Sequence, residues 1–154
     1  MNEMLIAAKD ANKKLKGLQL DQLRPATVVE LPVDPILYQF QRSRFDLGNS
    51  TISTIHRRAT VDMMEFISSS LEPLKTLSIG GPLIYVYGIR GVGKSHSLYE
   101  VVCHLRADPN NRVIYMPNCG EWCRRDEKQA VELLIRAICI AFIEDEDVLQ
   151  HCYS

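Results

Sequence analysis

The sequence predicts an α/β fold: a partial three-layer P-loop NTPase sheet in the order strand, P-loop, helix, strand, helix, preceded by a mainly helical N-terminal segment. Three observations carry this. Gly88-Ile89-Arg90-Gly91-Val92-Gly93-Lys94-Ser95 fits G-x-x-x-x-G-K-[ST], the Walker A pattern. Leu83-Ile84-Tyr85-Val86-Tyr87, just before it, is a β-branched and aromatic run that reads as a buried strand. From Leu83 onward strand-like and helix-like stretches alternate, and a parallel sheet with right-handed helical crossovers follows from that order.

The elements are read in chain order. Residues 3–16 carry a weak apolar stripe (Met4, Leu5, Ala7, Ala8, Ala11, Leu15) with lysines crowding the far end, where they suit the helix dipole, and Gly17 stops the helix. Residues 24–35 hold Pro25, Pro32 and Pro35 around Val28-Val29-Glu30-Leu31 and read as an extended connector rather than a core element. Ile36-Leu37-Tyr38-Gln39-Phe40 reads equally as a strand or a helical turn, and Gly48-Asn49-Ser50 is a turn signal. A helix is expected from about Ile55 to Leu71, with Ile55, Ala59, Met63, Phe66, Ile67 and Ser70 on one face, closed by Pro73 and then Gly80-Gly81-Pro82. After the glycine loop, Ser95 to Arg106 repeats Leu98, Val101, Val102 and Leu105 at helical spacing. Asp108-Pro109-Asn110-Asn111 is a turn, and Arg112-Val113-Ile114-Tyr115-Met116 is a second strand, ended by Pro117-Asn118. A long helix begins at Arg125 or Asp126 and runs to about Ile143, with Ala130, Leu133, Leu134, Ala137, Ile138, Ala141 and Phe142 facing the core; Glu144-Asp145-Glu146-Asp147 forms a following turn or cap. Two regions result: 1–50, an N-terminal helix and proline-containing connector, and 51–154, the N-terminal part of a P-loop NTPase domain.

The Walker A pattern has a mechanism. A glycine-rich turn lets successive backbone N–H groups face phosphate oxygens, and the helix that follows aims the positive end of its dipole at them. Gly88, Ile89, Arg90, Gly91, Val92, Gly93, Lys94, Ser95 and His96 are the candidate nucleotide-binding residues. Lys94 reaches the β- and γ-phosphates and the Ser95 hydroxyl takes Mg²⁺, which makes these two the candidate catalytic residues and Ser95 the metal ligand. Arg90 and His96 contribute through their amides rather than their side chains. The expected ligands are ATP and Mg²⁺; the guanine-reading Asn-Lys-x-Asp pattern is absent.

Composition narrows the class. A formal net charge of −1 offers no polyanion-binding surface in bulk and no direct sign of nucleic-acid binding. No stretch approaches the roughly 20 apolar residues of a membrane span, and the first residues lack the pattern of a secretory signal. The five cysteines are odd in number and scattered, which favours reduced thiols in the cytoplasm or nucleus.

A hydrolysing P-loop protein also needs an acidic strand end that holds Mg²⁺ through water. The local candidate is Ile140-Ala141-Phe142-Ile143-Glu144-Asp145, but its periodicity continues that of Leu134 and Ile138, so it reads as helix. The chain is therefore expected to carry the nucleotide grip without the water-activating half, as a fragment ending before Walker B would. Other constellations are weaker. Cys119 and Cys123 with His104 form an incomplete zinc set that reads more readily as packed thiols. Arg124 and Arg125, at the carboxyl end of the second strand, lie where a phosphate or partner subunit would sit, though solvated arginines are commoner. His56-Arg57-Arg58, in the lead-in to the loop, could supply a cation to the base or a phosphate, or begin a solvated helix.

The stretch Ile84-Tyr85-Val86-Tyr87-Gly88-Ile89-Arg90-Gly91-Val92-Gly93-Lys94-Ser95-His96-Ser97-Leu98-Tyr99, with Arg112-Val113-Ile114-Tyr115-Met116-Pro117-Asn118-Cys119-Gly120-Glu121-Trp122, resembles the P-loop region of Crinkler-type proteins of fungi and oomycetes, within the AAA+ and signal-transduction ATPase class. The resemblance covers about residues 52–154. It implies an ATPase module, in that family often preceded by a ubiquitin-like header and followed by a nuclease-like domain, with some members delivered to host cells and their nuclei. No header motif stands near Met1 and no nuclease-like tail follows, so delivery and nuclease activity are implied by kinship alone. The leading expectation is an ATP-binding part of a larger Mg²⁺-dependent ATPase. The rivals are a nucleotide-dependent regulatory or effector module with little or no hydrolysis, working through a protein partner or self-association, and a small P-loop kinase-like phosphotransferase.

Overall fold

A β-hairpin lies at the centre of the molecule. In the computed structural model, which describes residues 2–18, 20–37, 51–74 and 84–153, β1 (Val28–Pro32) pairs antiparallel with β2 (Thr51–Ile55), in register Val28 with Ile55 and Pro32 with Thr51. Alternation decides which face is buried: Val29 and Leu31 on β1 lie opposite Thr54 and Ile52 on β2, and all four are buried. The pairing continues one step past the strands. His56 N–H donates to the Thr27 carbonyl and Ala26 N–H donates to the His56 carbonyl, each at 2.8 Å. Ala26 takes a left-handed φ of 69° to make this closure.

Helices pack around the hairpin: α1 (Asn2–Lys16), α2 (Arg58–Leu74), α3 (Lys94–Ala107), the short α4 (Cys119–Trp122), α5 (Glu127–Ala141) and α6 (Glu146–Tyr153), with a 3-10 turn at Leu20–Gln22. Gly17 does end α1, and Asp126 caps α5 by accepting from the Gln129 N–H at 2.9 Å. One core cluster joins Leu15 of α1, Val29, Leu31 and Ile52 of the hairpin, and Tyr99 and Cys103 of α3. A second joins Ala8 and Ile36 to Leu133, Ala137 and Ile140 of α5 and to Ile143. The seam between α3 and the chain after β1 is polar and closed. Tyr99 Oη donates to the Pro32 carbonyl and accepts from the Asp34 N–H, while Arg106 pairs with Asp34 and gives a second N–H to the Val113 carbonyl at 3.1 Å. Burial pushes the Cys103 thiol up to about 12 and raises the Tyr99 hydroxyl well above its ordinary value. Burial works against the charge of Arg106, and the Asp34 carboxylate more than offsets it, so the guanidinium's affinity for its proton rises.

The expected α/β fold is overturned. Among the described residues the sheet is two-stranded and antiparallel, no strands run parallel, and the architecture is mainly helical, so there is no P-loop NTPase sheet. Residues 84–87 and 112–116 belong to no strand. Tyr85 and Tyr87 are 82% and 83% exposed, the opposite of a buried strand. β-propensity marks a chain that fits a pleated surface and does not supply the neighbour. Residues 112–116 are held by side chains instead: Arg106 grips the Val113 carbonyl, and the Tyr115 ring lies 5.8 Å from that of Tyr99. One strand of the sheet, β1, comes from the region that reads as a connector, with Pro25 and Pro35 on either side and Pro32 as its last residue. The helix expected from Ile55 starts at Arg58 because Thr51–Ile55 belong to β2; Thr60 is buried, while Phe66 of the expected apolar face is half exposed. On α3 the buried face is Ser97, Tyr99, Glu100, Val101 and Cys103, and Leu98 is exposed. The helical reading of 140–141 holds, since α5 runs through them. The Gly48-Asn49-Ser50 and Gly80-Gly81-Pro82 turns lie outside the described residues.

Candidate functional site

The glycine motif forms a loop that enters α3 at Lys94, with Gly93 as the N-cap. Gly88, Gly91 and Gly93 have φ of 145°, 90° and 83°, a region that L side chains rarely adopt, so the glycines answer a backbone requirement here. No side chain caps the helix, and the amides of any helix's first turn lack intrahelical acceptors. Lys94 Nζ donates to the carbonyls of Gly88 and Ile89, both at 2.7 Å, and so ties the helix start back across the loop. An ammonium has three donors, and these bonds engage two of them.

The loop encloses a cleft of about 570 Å³ lined by Gly88, Arg90, Gly91, Gly93, Lys94, Ser95 and His96. No acidic residue is among them. Seven of the nine residues expected from the motif thus come together around one space. The remaining two act through their carbonyls: Ile89 accepts from Lys94, and Val92 accepts from Arg57. An apolar recess of about 450 Å³ adjoins the cleft and shares Lys94 with it; Tyr85, Tyr87, Met63 and Val92 contribute to its wall.

Arg57, one of the lead-in cations, lies against the loop. A Cβ at Gly93 would meet the Arg57 guanidinium carbon and both terminal nitrogens at 2.7 Å, so the backbone angle favours glycine here and any side chain would also displace the end of Arg57. Burial, and then the positive charge of Arg57, hold the His96 imidazole below its ordinary pKa of 6.5, leaving it neutral at neutral pH. The cationic character of the site therefore comes from Lys94, Arg90 and Arg57. Arg58 turns to Asp62 at 2.8 Å on the surface of α2, and Arg124 and Arg125 do not line the cleft.

Behind the loop, α2 and α3 are joined by a buried polar cluster that sequence reasoning does not find. Glu100 Oε1 contacts His56 Nδ1, Glu100 Oε2 accepts from the Thr60 hydroxyl at 3.1 Å, and His104 Nε2 lies 3.9 Å from Glu100 Oε1. His56 and Glu100 are 3% and 0% exposed. His104, weighed only as a weak partner of Cys119 and Cys123, faces this cluster from α3, and the two thiols, expected to be packed, are exposed. The available signal is the Glu100–His104 spacing of four, which puts both on one helix face.

Comparison of the chain with protein-family models, curated proteins and solved structures gives no match. Among the described residues no helix is long and apolar enough to cross a membrane.

Proposed function

We propose that the loop of residues 88–96 binds the phosphates of a nucleoside triphosphate, with ATP and Mg²⁺ as the expected ligands. The observation that supports this is the cleft: glycines at left-handed φ, a helix start without a side-chain cap, Lys94 and Arg90 on the lining, and no acid among it. In this reading Lys94 keeps its carbonyl bonds and turns its third donor to a β- or γ-oxygen, and the Ser95 hydroxyl takes the metal. Its volume falls in the usual range for ligand sites, about 300–1,000 Å³. The loop is held by Arg57 and α2 rather than by flanking parallel strands, so binding is assigned to the loop and helix as a unit. The same reading keeps the kinship with Crinkler-type ATPase modules as a proposal resting on the quoted residues.

A binding or regulatory role is favoured over hydrolysis by one feature. Among the described residues no carboxylate lines the cleft, and a carboxylate is what would hold Mg²⁺ through water or orient an attacking water. ATP would then stabilise the fold by mass action and turn over slowly, if a partner supplies the acid at all.

The test is the melting temperature of the chain with and without Mg·ATP, beside Lys94→Ala. At 100-fold excess over the dissociation constant the stabilisation is about 2.7 kcal/mol, a shift of roughly 5–10 °C for a domain of this size. Lys94→Ala is expected to abolish it. No shift in folded wild-type protein removes the binding proposal.

A further inference from the structure

We infer that His56, Glu100 and His104 form a binding site for a divalent transition metal ion of the Zn²⁺ type. Their ligand atoms, an imidazole nitrogen from each histidine and a carboxylate oxygen from Glu100, all lie within 4.8 Å of one another in a buried setting. The site stands apart from the phosphate cleft and does not depend on it.

The donor set comes first. Two imidazoles and one carboxylate suit Zn²⁺ and neighbouring first-row ions, and suit Mg²⁺ or Ca²⁺ poorly, since those prefer oxygen throughout. Position comes second. Glu100 and His104 are one turn apart on α3, a rigid element, and their ligand atoms are 3.9 Å apart. His56 is fixed by its own backbone, which makes both hydrogen bonds that close the hairpin, to Thr27 and Ala26. The three ligands therefore come from two elements whose separation is already set by packing. Around a tetrahedral Zn²⁺, ligand atoms sit about 3.4 Å apart. His56 and Glu100, now in hydrogen-bond contact, must part by about an ångström, and the widest pair of ligand atoms, within 4.8 Å, must close by up to about 1.4 Å to reach that geometry.

The surrounding shell also fits. Thr60 donates to the other oxygen of Glu100 at 3.1 Å, which orients the carboxylate as an outer-shell partner does. The ion would join the end of β2 to the middle of α3, one residue from Arg57 and two turns from Lys94, and so would fix the frame on which the glycine loop is carried.

The experiment uses the full chain, stripped with chelator and titrated with Co²⁺ as an optical stand-in, then with Zn²⁺ in competition. The expected result is one Co²⁺ per chain, visible d–d bands of a low-coordinate site, no thiolate-to-cobalt charge transfer, and displacement by Zn²⁺. His104→Gln should weaken binding by more than about 100-fold, and Thr60→Val by about 10–100-fold, the outer-shell range. Two results overturn the inference: no stoichiometric metal on wild-type protein, or a spectrum with thiolate charge transfer that Cys119→Ser and Cys123→Ser remove. The metal stoichiometry and the spectrum are both read on folded wild-type protein, so they decide the matter even where a variant fails to fold.

Discussion

The two halves of α3 are built for different ends. From its middle to its C-terminal end it sits in a polar seam: Tyr99 and Arg106 are bonded to Pro32, Asp34 and Val113, with charge meeting charge out of water. Its N-terminal end opens on a cleft whose rim is exposed, with Ile89 78% and Val92 40% exposed and the preceding tyrosines almost fully so. Apolar residues at the loop are left outside, while Tyr99 and Cys103 of the same helix join the hairpin and Leu15 of α1 in a core cluster. One helix thus carries stability at one end and an accessible backbone at the other. Between them, the His56–Glu100–Thr60 contacts hold α3, and Arg57 bonds the loop at the Val92 carbonyl.

The largest expected effect breaks the packed half. Asp34→Ala leaves Arg106 as a buried charge without its carboxylate, and such a loss costs about 3–5 kcal/mol. Urea unfolding should show that fall, with the phosphate affinity of the protein that remains folded unchanged. If affinity falls in parallel with stability, the two halves of α3 are not separable.

A smaller effect is expected at the junction. Gly93→Ala forces a side chain into left-handed backbone, at about 1–2 kcal/mol, and drives Arg57 off the loop. The proposed phosphate binding should be lost, with stability falling by that backbone cost together with the cost of displacing Arg57. In the double variant with Arg57→Ala the steric part disappears and the backbone part stays, giving a favourable coupling of about 0.5–3 kcal/mol in the cycle. Strict additivity would show that Arg57 does not constrain the loop.

The smallest effect lies at the surface, where Arg112 pairs with Asp145 through two bonds, at 2.6 and 3.0 Å. The Arg112 hydrogen bond holds the Asp145 carboxyl below the ordinary aspartate value of 3.8. Below 3.8 the unfolded chain binds the proton first, so the pair's contribution is whole above that value and is lost as pH falls through the folded one. Asp145→Asn should lower stability slightly at neutral pH, the expectation for an exposed pair, and its difference from wild type should vanish as pH falls through the folded value. An equal loss at neutral pH would give this surface contact the weight of the Asp34 pair.

What could be read ahead divides along the same line. The loop was legible because its requirement is local: glycine where φ is positive and a lysine at a fixed offset place the backbone wherever they occur. The α1 and α5 helices were legible for the same reason, through Gly17, Asp126 and an unbroken apolar period. Residues 84–87 and 112–116 mislead because an apolar, β-branched run states a preference and does not name a partner. Residues 28–32 escape notice because Pro25, Pro32 and Pro35 mask the alternation of Val29 and Leu31.

By itself the sequence determined the glycine loop, the helix that follows it and the cation at its start, since each depends on residues next to one another. Only the tertiary structure decided that Val28–Pro32 pairs with Thr51–Ile55, that Arg57 closes on Gly93, and that His56 meets Glu100 and His104. Those outcomes depend on which distant surfaces bury one another, and no local pattern in the chain specifies that choice.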